Sequence, residues 1–245
     1  MTSTRTTLLV DYPAGHSMDS GWFILDEDGR LGYFDTGEAG AIPRQIPFAT
    51  GEIVRAVEDD VNELWFVFIL PWIIRHRSPP PPSALDDICL LYDSVENAHR
   101  ALDEGASTIS QNPFLVFIEC PRAGWPESFG AAQNDEQREQ YSRFERLRAL
   151  PGFLGYAPRW FSDACEHAGL LPLAFFKHGC WDIPGHYVRQ SAACTDFSLP
   201  PEIADKLWRI KSSFELAEIQ LADSFSNEEC QTYVGEQDLR TGEIL

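Results

Sequence analysis

Apolar residues form two short runs near the start of the chain, at 21–25 and 31–34, with the pair Asp28-Gly29 between them. Aromatic and branched side chains dominate both runs, which favours extended strands. An Asp-Gly pair accepts the backbone conformations of a tight turn, including a positive φ angle. The pattern therefore predicts a β-hairpin over 21–36, followed by a glycine-spaced acidic loop.

Further apolar runs predict strands along the rest of the chain. The run at 63–70 is apolar throughout, which is typical of a strand that is covered on both faces. The other predicted strands lie at 6–12, 88–92, 113–119, 173–176 and 186–189.

One segment carries helix signals at both of its ends. Ser94 is a suitable N-cap, because its hydroxyl can accept a hydrogen bond from the first turn. Val95, Ala98 and Leu102 then form an inner stripe, and Gly105 provides the stop. These residues predict a helix between 94 and 105.

A second helix is predicted after Asn134, which serves as its N-cap. Gln137 follows three residues later, as in a variant of the capping box. Pro151-Gly152 ends the segment. The apolar stripe of this helix has three members, which are Tyr141, Phe144 and Leu147.

Two later segments also predict helices. Pro158 can open a short helix that closes at Gly169. The clearest amphipathic pattern runs from Pro201 to Leu221, with apolar residues at alternating four- and three-residue steps. Its members are Ile203, Leu207, Ile210, Phe214, Ala217 and Leu221.

The order of these elements predicts the fold class. Strands and helices are interspersed, but without the regular rhythm of βαβ units. We therefore expect a mixed α+β fold, with a mainly antiparallel sheet and three to four helices. The four prolines at 79–82 are the strongest break in the chain and mark a weak boundary at 78–83. Because apolar strands are predicted on both sides of it, a single domain over 1–245 is favoured.

The charge balance narrows the class of partner. Thirty-eight acidic residues against nineteen basic ones give a formal net charge of −19, spread along the whole chain. Such a surface repels nucleic-acid phosphates and anionic membranes, and it attracts basic partners. We therefore expect a protein partner with a basic surface, and neither nucleic acid nor membrane. The oligomeric state is left open.

The cysteines indicate a reducing compartment. The six cysteines are scattered, without a Cys-x-x-Cys pair, and no apolar signal core follows Met1. The longest apolar run, at 64–74, is interrupted by Pro71 and is shorter than the ~20 residues of a membrane span. A cytoplasmic protein with reduced thiols is the expectation.

Cysteine and histidine residues cluster between 165 and 186, and zinc is the first chemistry to consider. The members are Cys165, His167, His178, Cys180 and His186. Structural zinc sites usually place two to four residues between paired ligands, whereas the pairs here have one. We therefore expect no metal, and no other cofactor.

A cysteine hydrolase is the alternative for the same cluster. Cys180 would be the nucleophile, His186 the base and Asp182 the acid that orients it. A metal-dependent hydrolase built on the cluster is a further form of this alternative. No Gly-x-Ser-x-Gly motif supports a serine enzyme. The sequence leans toward a protein that is not an enzyme, and no catalytic residue is assigned.

The hairpin and its exit loop contain five acidic residues that could form a partner-binding face. The glycine of Asp26-Glu27-Asp28-Gly29 is fourth rather than sixth, so this is a turn and not an EF-hand loop. Turns and loops are usually exposed to solvent. The predicted face consists of Asp26, Glu27, Asp28, Asp35 and Glu38.

The segment 19–43 resembles the start of a set of uncharacterised bacterial proteins. The shared pattern is Asp-Ser-x-Trp-Phe, then Asp-x-Asp-Gly, then Phe-Asp-Thr-Gly-Glu-x-Gly-x-x-Pro, over about a tenth of the chain. It carries no activity to transfer. In general build, as a small acidic α+β protein rich in aromatic residues, the chain is similar to immunity proteins of bacterial toxin systems.

These observations lead to one functional expectation and two alternatives. We expect a non-enzymatic, acidic, cytoplasmic binding protein of the immunity or antitoxin type, which inhibits a basic protein partner. The first alternative is the cysteine- or metal-dependent hydrolase described above. The second is a scaffold or oligomerisation module that uses exposed aromatic residues.

Overall fold

The computed structural model describes residues 21–35, 64–77, 87–126, 131–159, 169–179 and 185–221. The chain divides into two compact units. One comprises Asn62–Leu171, and the other comprises Met1–Val61 together with Pro172–Leu245. The predicted strand at 6–12 and the proline run lie outside the described residues. The single-domain prediction therefore stays a prediction.

Within the described residues, two sheets and four helices give an α+β fold, as the sequence predicted. The strands are β1 (Gly21–Leu25), β2 (Leu31–Asp35), β3 (Ile88–Tyr92), β4 (Thr108–Ile109), β5 (Leu115–Ile118), β6 (Phe153–Pro158), β7 (Ala174–His178), β8 (His186–Ser191) and β9 (Glu218–Gln220). The helices are α1 (Leu70–His76), α2 (Val95–Asp103), α3 (Asp135–Arg148) and α4 (Pro201–Ala204). A π-helical segment, Leu64–Ile69, leads directly into α1.

The discontinuous unit contains a five-stranded sheet in the order β1-β2-β7-β8-β9. All neighbours are antiparallel except β2 and β7, which run parallel. Aromatic rings stack across three neighbouring strands on one face, with centroids 4.4 Å apart for Trp22 and Phe34 and 4.6 Å apart for Phe34 and Phe176. These fully buried rings form the centre of the core of this unit.

The predicted hairpin is confirmed. Its loop is Glu27–Gly29, and Gly29 has a φ of +80°, which a residue without Cβ adopts at little cost. Asp26 N donates to the carbonyl of Arg30 (3.0 Å), and Gly29 N donates to that of Asp26 (3.1 Å). This three-residue loop brings Leu25 opposite Leu31 and sets the register of the two strands.

The continuous unit contains a four-stranded antiparallel sheet in the order β4-β5-β3-β6. The core of this unit is formed by buried residues of β3, β5, α2 and α3. Both predicted N-caps are confirmed: Ser94 Oγ accepts from Asn97 N (3.2 Å), and Asn134 Oδ1 accepts from Gln137 N (2.9 Å). The stripe of α2 differs from the prediction, because Ala101 is buried whereas Val95 is 37% exposed.

The predicted strand at 63–70 is wrong, because residues 64–70, the described part of this run, are helical. The buried residues of the segment fall in groups that recur about once per helical turn and do not alternate: 64–66, 69–71 and 73–74. Pro71 suits the first turn of α1, where no backbone donor is needed. A continuous apolar run does not by itself distinguish a buried strand from a buried helix.

The predicted helix at 201–221 is also wrong. Only Pro201–Ala204 is helical, although Ile203, Leu207 and Ile210 are buried as the pattern requires. Beyond Ala204 the backbone bonds to distant residues: Leu25 N donates to Trp208 O, and Ile210 N donates to Leu25 O, both at 2.9 Å. These long-range bonds replace the local bonds of a helix.

The helix predicted from Pro158 is wrong at its start, because Pro158 is the last residue of β6. The body of that predicted helix, at 160–168, lies outside the described residues. The strands predicted at 88–92, 113–119, 173–176 and 186–189 are confirmed as β3, β5, β7 and β8.

Candidate partner-binding face

Asp26 is fully buried, so the expected exposure of this residue is wrong. Its Oδ1 accepts hydrogen bonds from Asp28 N (3.0 Å) and Arg30 N (2.8 Å). Its Oδ2 accepts from Arg30 Nε (2.8 Å) and Phe214 N (3.0 Å). The carboxylate therefore holds the hairpin turn together and cannot contact a partner directly.

Arg30 connects the hairpin to the segment that precedes β9. Its guanidinium donates to Asp28 Oδ2, to Ser213 Oγ and to Glu215 Oε1, each at 2.8 Å, in addition to Asp26. Burial disfavours the charged form of Arg30. The hydrogen bonds to Glu215 and Asp26, with the nearby charges of Asp26 and Asp28, outweigh that effect and raise its pKa.

The exposed carboxylates at the end of the hairpin are those of Glu27, Asp28 and Glu215. The side chain of Asp28 is 64% exposed and that of Glu215 is 79% exposed. Arg30 holds the last two of these in place and neutralises part of their charge. We call these three residues the hairpin-tip face.

The other two predicted members of the face do not join this group. Asp35 ends β2 opposite Gly21, about 13 Å along the strand from the turn, and it is partly buried. Glu38 lies outside the described residues. Glu215 was missed by sequence reasoning, because long-range hydrogen bonds of Arg30 to Glu215 and of Phe214 to Asp26 bring its segment to the hairpin. The sequence around Asp26, Glu27 and Asp28 does not indicate that Glu215 lies beside them.

Strand register separates the two described histidines of the 165–186 cluster. His178 pairs with Tyr187, whereas Gly179, next along the chain, donates its N–H to the carbonyl of His186 (2.9 Å). Because successive residues of a strand point to opposite faces, His178 and His186 lie on opposite faces of the sheet. Cys165, His167, Cys180 and Asp182 lie outside the described residues.

His186 pairs instead with a carboxylate of the neighbouring strand. Its Nε2 lies 3.2 Å from Glu218 Oε2, and its Nδ1 is buried with no hydrogen-bond partner among the described residues. The side chain of His186 is 20% exposed, and that of Glu218 is 65% exposed. Among the residues that the structure describes, no group of three or more His, Cys, Asp or Glu side chains is arranged to hold a metal ion.

No family model, curated protein or solved structure matches this chain. In the described part of the chain, no helix combines the length and the apolar character needed to cross a membrane.

Proposed function

We propose that this protein is a non-enzymatic, acidic, cytoplasmic binding protein that recognises a protein partner with a basic surface, in the manner of bacterial immunity or antitoxin proteins. The observation that carries the proposal is the formal net charge of −19. An acidic surface raises the association rate with a basic partner and disfavours acidic competitors.

The hairpin-tip face is the part of the surface to which we assign recognition. Its carboxylates are exposed, and hydrogen bonds to Arg30 fix two of them before any partner arrives. Side chains that are already ordered lose less conformational entropy on binding. Arg30 offsets part of the charge of Asp28 and Glu215. These two carboxylates therefore contribute to partner binding through their fixed positions as well as through their charge.

Two variants with the same change in net charge test this assignment. The first carries Glu27→Gln, Asp28→Asn and Glu215→Gln. The matched control carries Asp103→Asn, Glu104→Gln and Glu139→Gln, which neutralise exposed acids of the continuous unit. Basic proteins captured on the wild-type protein would be purified, and their association rates measured at 0.02 and 0.15 M salt.

The proposal predicts that the first variant associates at least about threefold more slowly than the control at low salt. The difference should shrink at 0.15 M, where the screening length is about 8 Å. Equal association rates for both variants would contradict the assignment of partner recognition to the hairpin-tip face. Association rates that are independent of salt for all three proteins would contradict electrostatic recognition altogether.

A cysteine hydrolase is the second candidate, and the His186–Glu218 pair is the observation that favours it. An imidazole held by a carboxylate is the base half of a Cys-His-acid arrangement. In this candidate Glu218 takes the orienting role that the sequence suggested for Asp182, and Cys180 remains the predicted nucleophile.

Thiol reactivity tests this second candidate. Cys180 activated by His186 should react with iodoacetamide below pH 7, and His186→Gln should abolish that reactivity. Cys194, a partly buried cysteine outside the cluster, is the internal reference. Mass spectrometry of the labelled peptides gives both rates. A Cys180 that titrates near the ordinary value of about 8.5 in both proteins would rule out the candidate.

A further inference from the structure

Leu216 is the most exposed large apolar side chain of the described residues, with 51% of its surface accessible. It lies in a segment of four consecutive exposed residues, 215–218, between the buried Phe214 and Ile219. A single exposed leucine is ordinary on a protein surface. What distinguishes Leu216 is the structure that holds it and the charges around it.

The main chain on both sides of Leu216 is fixed by hydrogen bonds. Arg189 Nη1 donates to the carbonyls of Phe214 (2.9 Å) and Glu215 (2.8 Å), and Arg189 N donates to that of Ala217 (2.9 Å). Leu216 N donates to the carbonyl of Ser213 (3.2 Å). Since the loop is ordered beforehand, burying Leu216 in a partner would require little further ordering.

The most exposed charged groups beside Leu216 are carboxylates. Glu215 and Glu218 are 79% and 65% exposed, whereas their partners Arg30 and His186 are 24% and 20% exposed. A partner would therefore meet an apolar centre with negative charge on either side. Interfaces commonly have this organisation, in which an apolar anchor dominates the energy and a polar rim surrounds it.

We propose that Leu216 is the apolar anchor of the partner-binding surface and that it packs against apolar side chains flanked by arginine or lysine on a basic protein. This inference rests on the proposed function. It extends the hairpin-tip face through Glu215 to the exposed segment 215–218, and it specifies the chemistry that the partner must offer: an apolar contact beside basic side chains.

A displayed library of random linear peptides is the probe. Peptides selected on the wild-type protein should combine an apolar residue with arginine or lysine. Leu216→Ala and Leu216→Gln should each weaken their binding at least about tenfold, as expected for an interface hot spot. Leu154→Ala is the matched control, because Leu154 is 45% exposed in the continuous unit. Its effect should stay within about twofold.

Four results would overturn the inference: no selected peptide, selected peptides without basic residues, binding insensitive to both Leu216 variants, or equal loss with Leu154→Ala. Unchanged thermal unfolding of each variant shows that a loss of binding is not a loss of fold. If neutralising the hairpin-tip face slows association but Leu216→Ala does not, the proposed function stands and this inference fails. If neither change has an effect, both fail.

Discussion

At the scale of single residues, Asp26 shows what a local pattern can and cannot indicate. The Asp-x-Asp-Gly pattern correctly predicted a turn, because turn geometry depends on neighbouring residues. It did not indicate that one of the acids would be buried, since the Phe214 N–H that bonds to Asp26 is 188 residues away. The same limit applies to Glu215, which belongs to the candidate face because Arg30 and Asp26, both distant in sequence, bond to its segment.

Asp26→Ala should destabilise the protein by about 3–5 kcal/mol. The partly buried Arg30 loses its buried carboxylate partner, and the Phe214 N–H loses its hydrogen-bond acceptor. Asp28→Ala is the control at the exposed end of the same turn. It should cost about 1 kcal/mol or less, as surface ion pairs do. Urea unfolding gives both values from the midpoints at constant slope. Equal costs would show that Asp26 is not the centre of the cluster.

Gly29→Val tests the turn itself. The φ of +80° at this position is strained for a β-branched residue, so a loss of about 1–3 kcal/mol is expected. Gly29→Asn should cost less, because asparagine tolerates this conformation better than other residues with a Cβ. Thermal unfolding measures both variants. If valine and asparagine cost the same, backbone strain is not the cause.

At the scale of whole elements, local signals predicted the ends of helices better than the type of element. Ser94 and Asn134 cap helices as predicted, because capping involves residues only three positions apart. The runs at 63–70 and 201–221 were misassigned, because distant residues decide both. Asn112 Nδ2 donates to Phe66 O (3.3 Å), and Trp65 Nε1 donates to Arg159 O (3.1 Å). These bonds hold the π-helical segment against distant residues of its own unit.

Gln137, in the first turn of α3, is a position where an acidic residue should destabilise the helix, although acidic residues usually stabilise a first turn. Its Nε2 donates to the carbonyls of Ala123 (3.2 Å) and Gly124 (3.0 Å). In the first turn of a helix, Gln→Glu usually stabilises by about 0.3–1 kcal/mol. Gln137→Glu should instead destabilise by about 1–3 kcal/mol, because a carboxylate cannot donate to these two carbonyls, of which that of Gly124 is buried.

Glu139→Gln, an exposed change on the same helix, is the control and should stay within about 0.5 kcal/mol. Urea unfolding of the wild type and the two variants measures the three free energies of unfolding. A Gln137→Glu variant that is as stable as the wild type would mean that Gln137 does not hold the 123–124 loop.

At the scale of the whole molecule, the buried Tyr92 and the partly buried Tyr156 make stability fall at high pH. Burial raises the pKa of Tyr92, whose hydroxyl donates to Leu147 O (2.8 Å), and it also raises the pKa of Tyr156. In the unfolded chain these groups titrate near pH 10. Above that pH the unfolded chain loses protons that the folded protein keeps, so the free energy of unfolding decreases as pH rises.

Tyr92 should lower the free energy of unfolding by up to about 1.4 kcal/mol per pH unit above pH 10, and the partly buried Tyr156 should lower it by less. Below pH 10 both contributions are constant. Tyr92→Phe should cost about 1 kcal/mol at pH 8, through the lost hydrogen bond, and should reduce the further loss between pH 10 and 11. Urea unfolding at the three pH values checks this. An unchanged alkaline loss in the variant would exclude Tyr92 as its source.

The parallel pairing of β2 with β7 has a consequence for synthesis on the ribosome. Gly32 pairs with Ala174, about 140 residues later. At ~5–20 residues per second, the hairpin therefore waits roughly 7–30 s before its neighbouring strand has even been made. During that interval β2 has an unpaired edge, and Phe34 lacks the ring of Phe176 that covers it in the finished core. The hairpin is thus exposed to strand-mediated aggregation while it waits, and this exposure ends only when β7 has emerged.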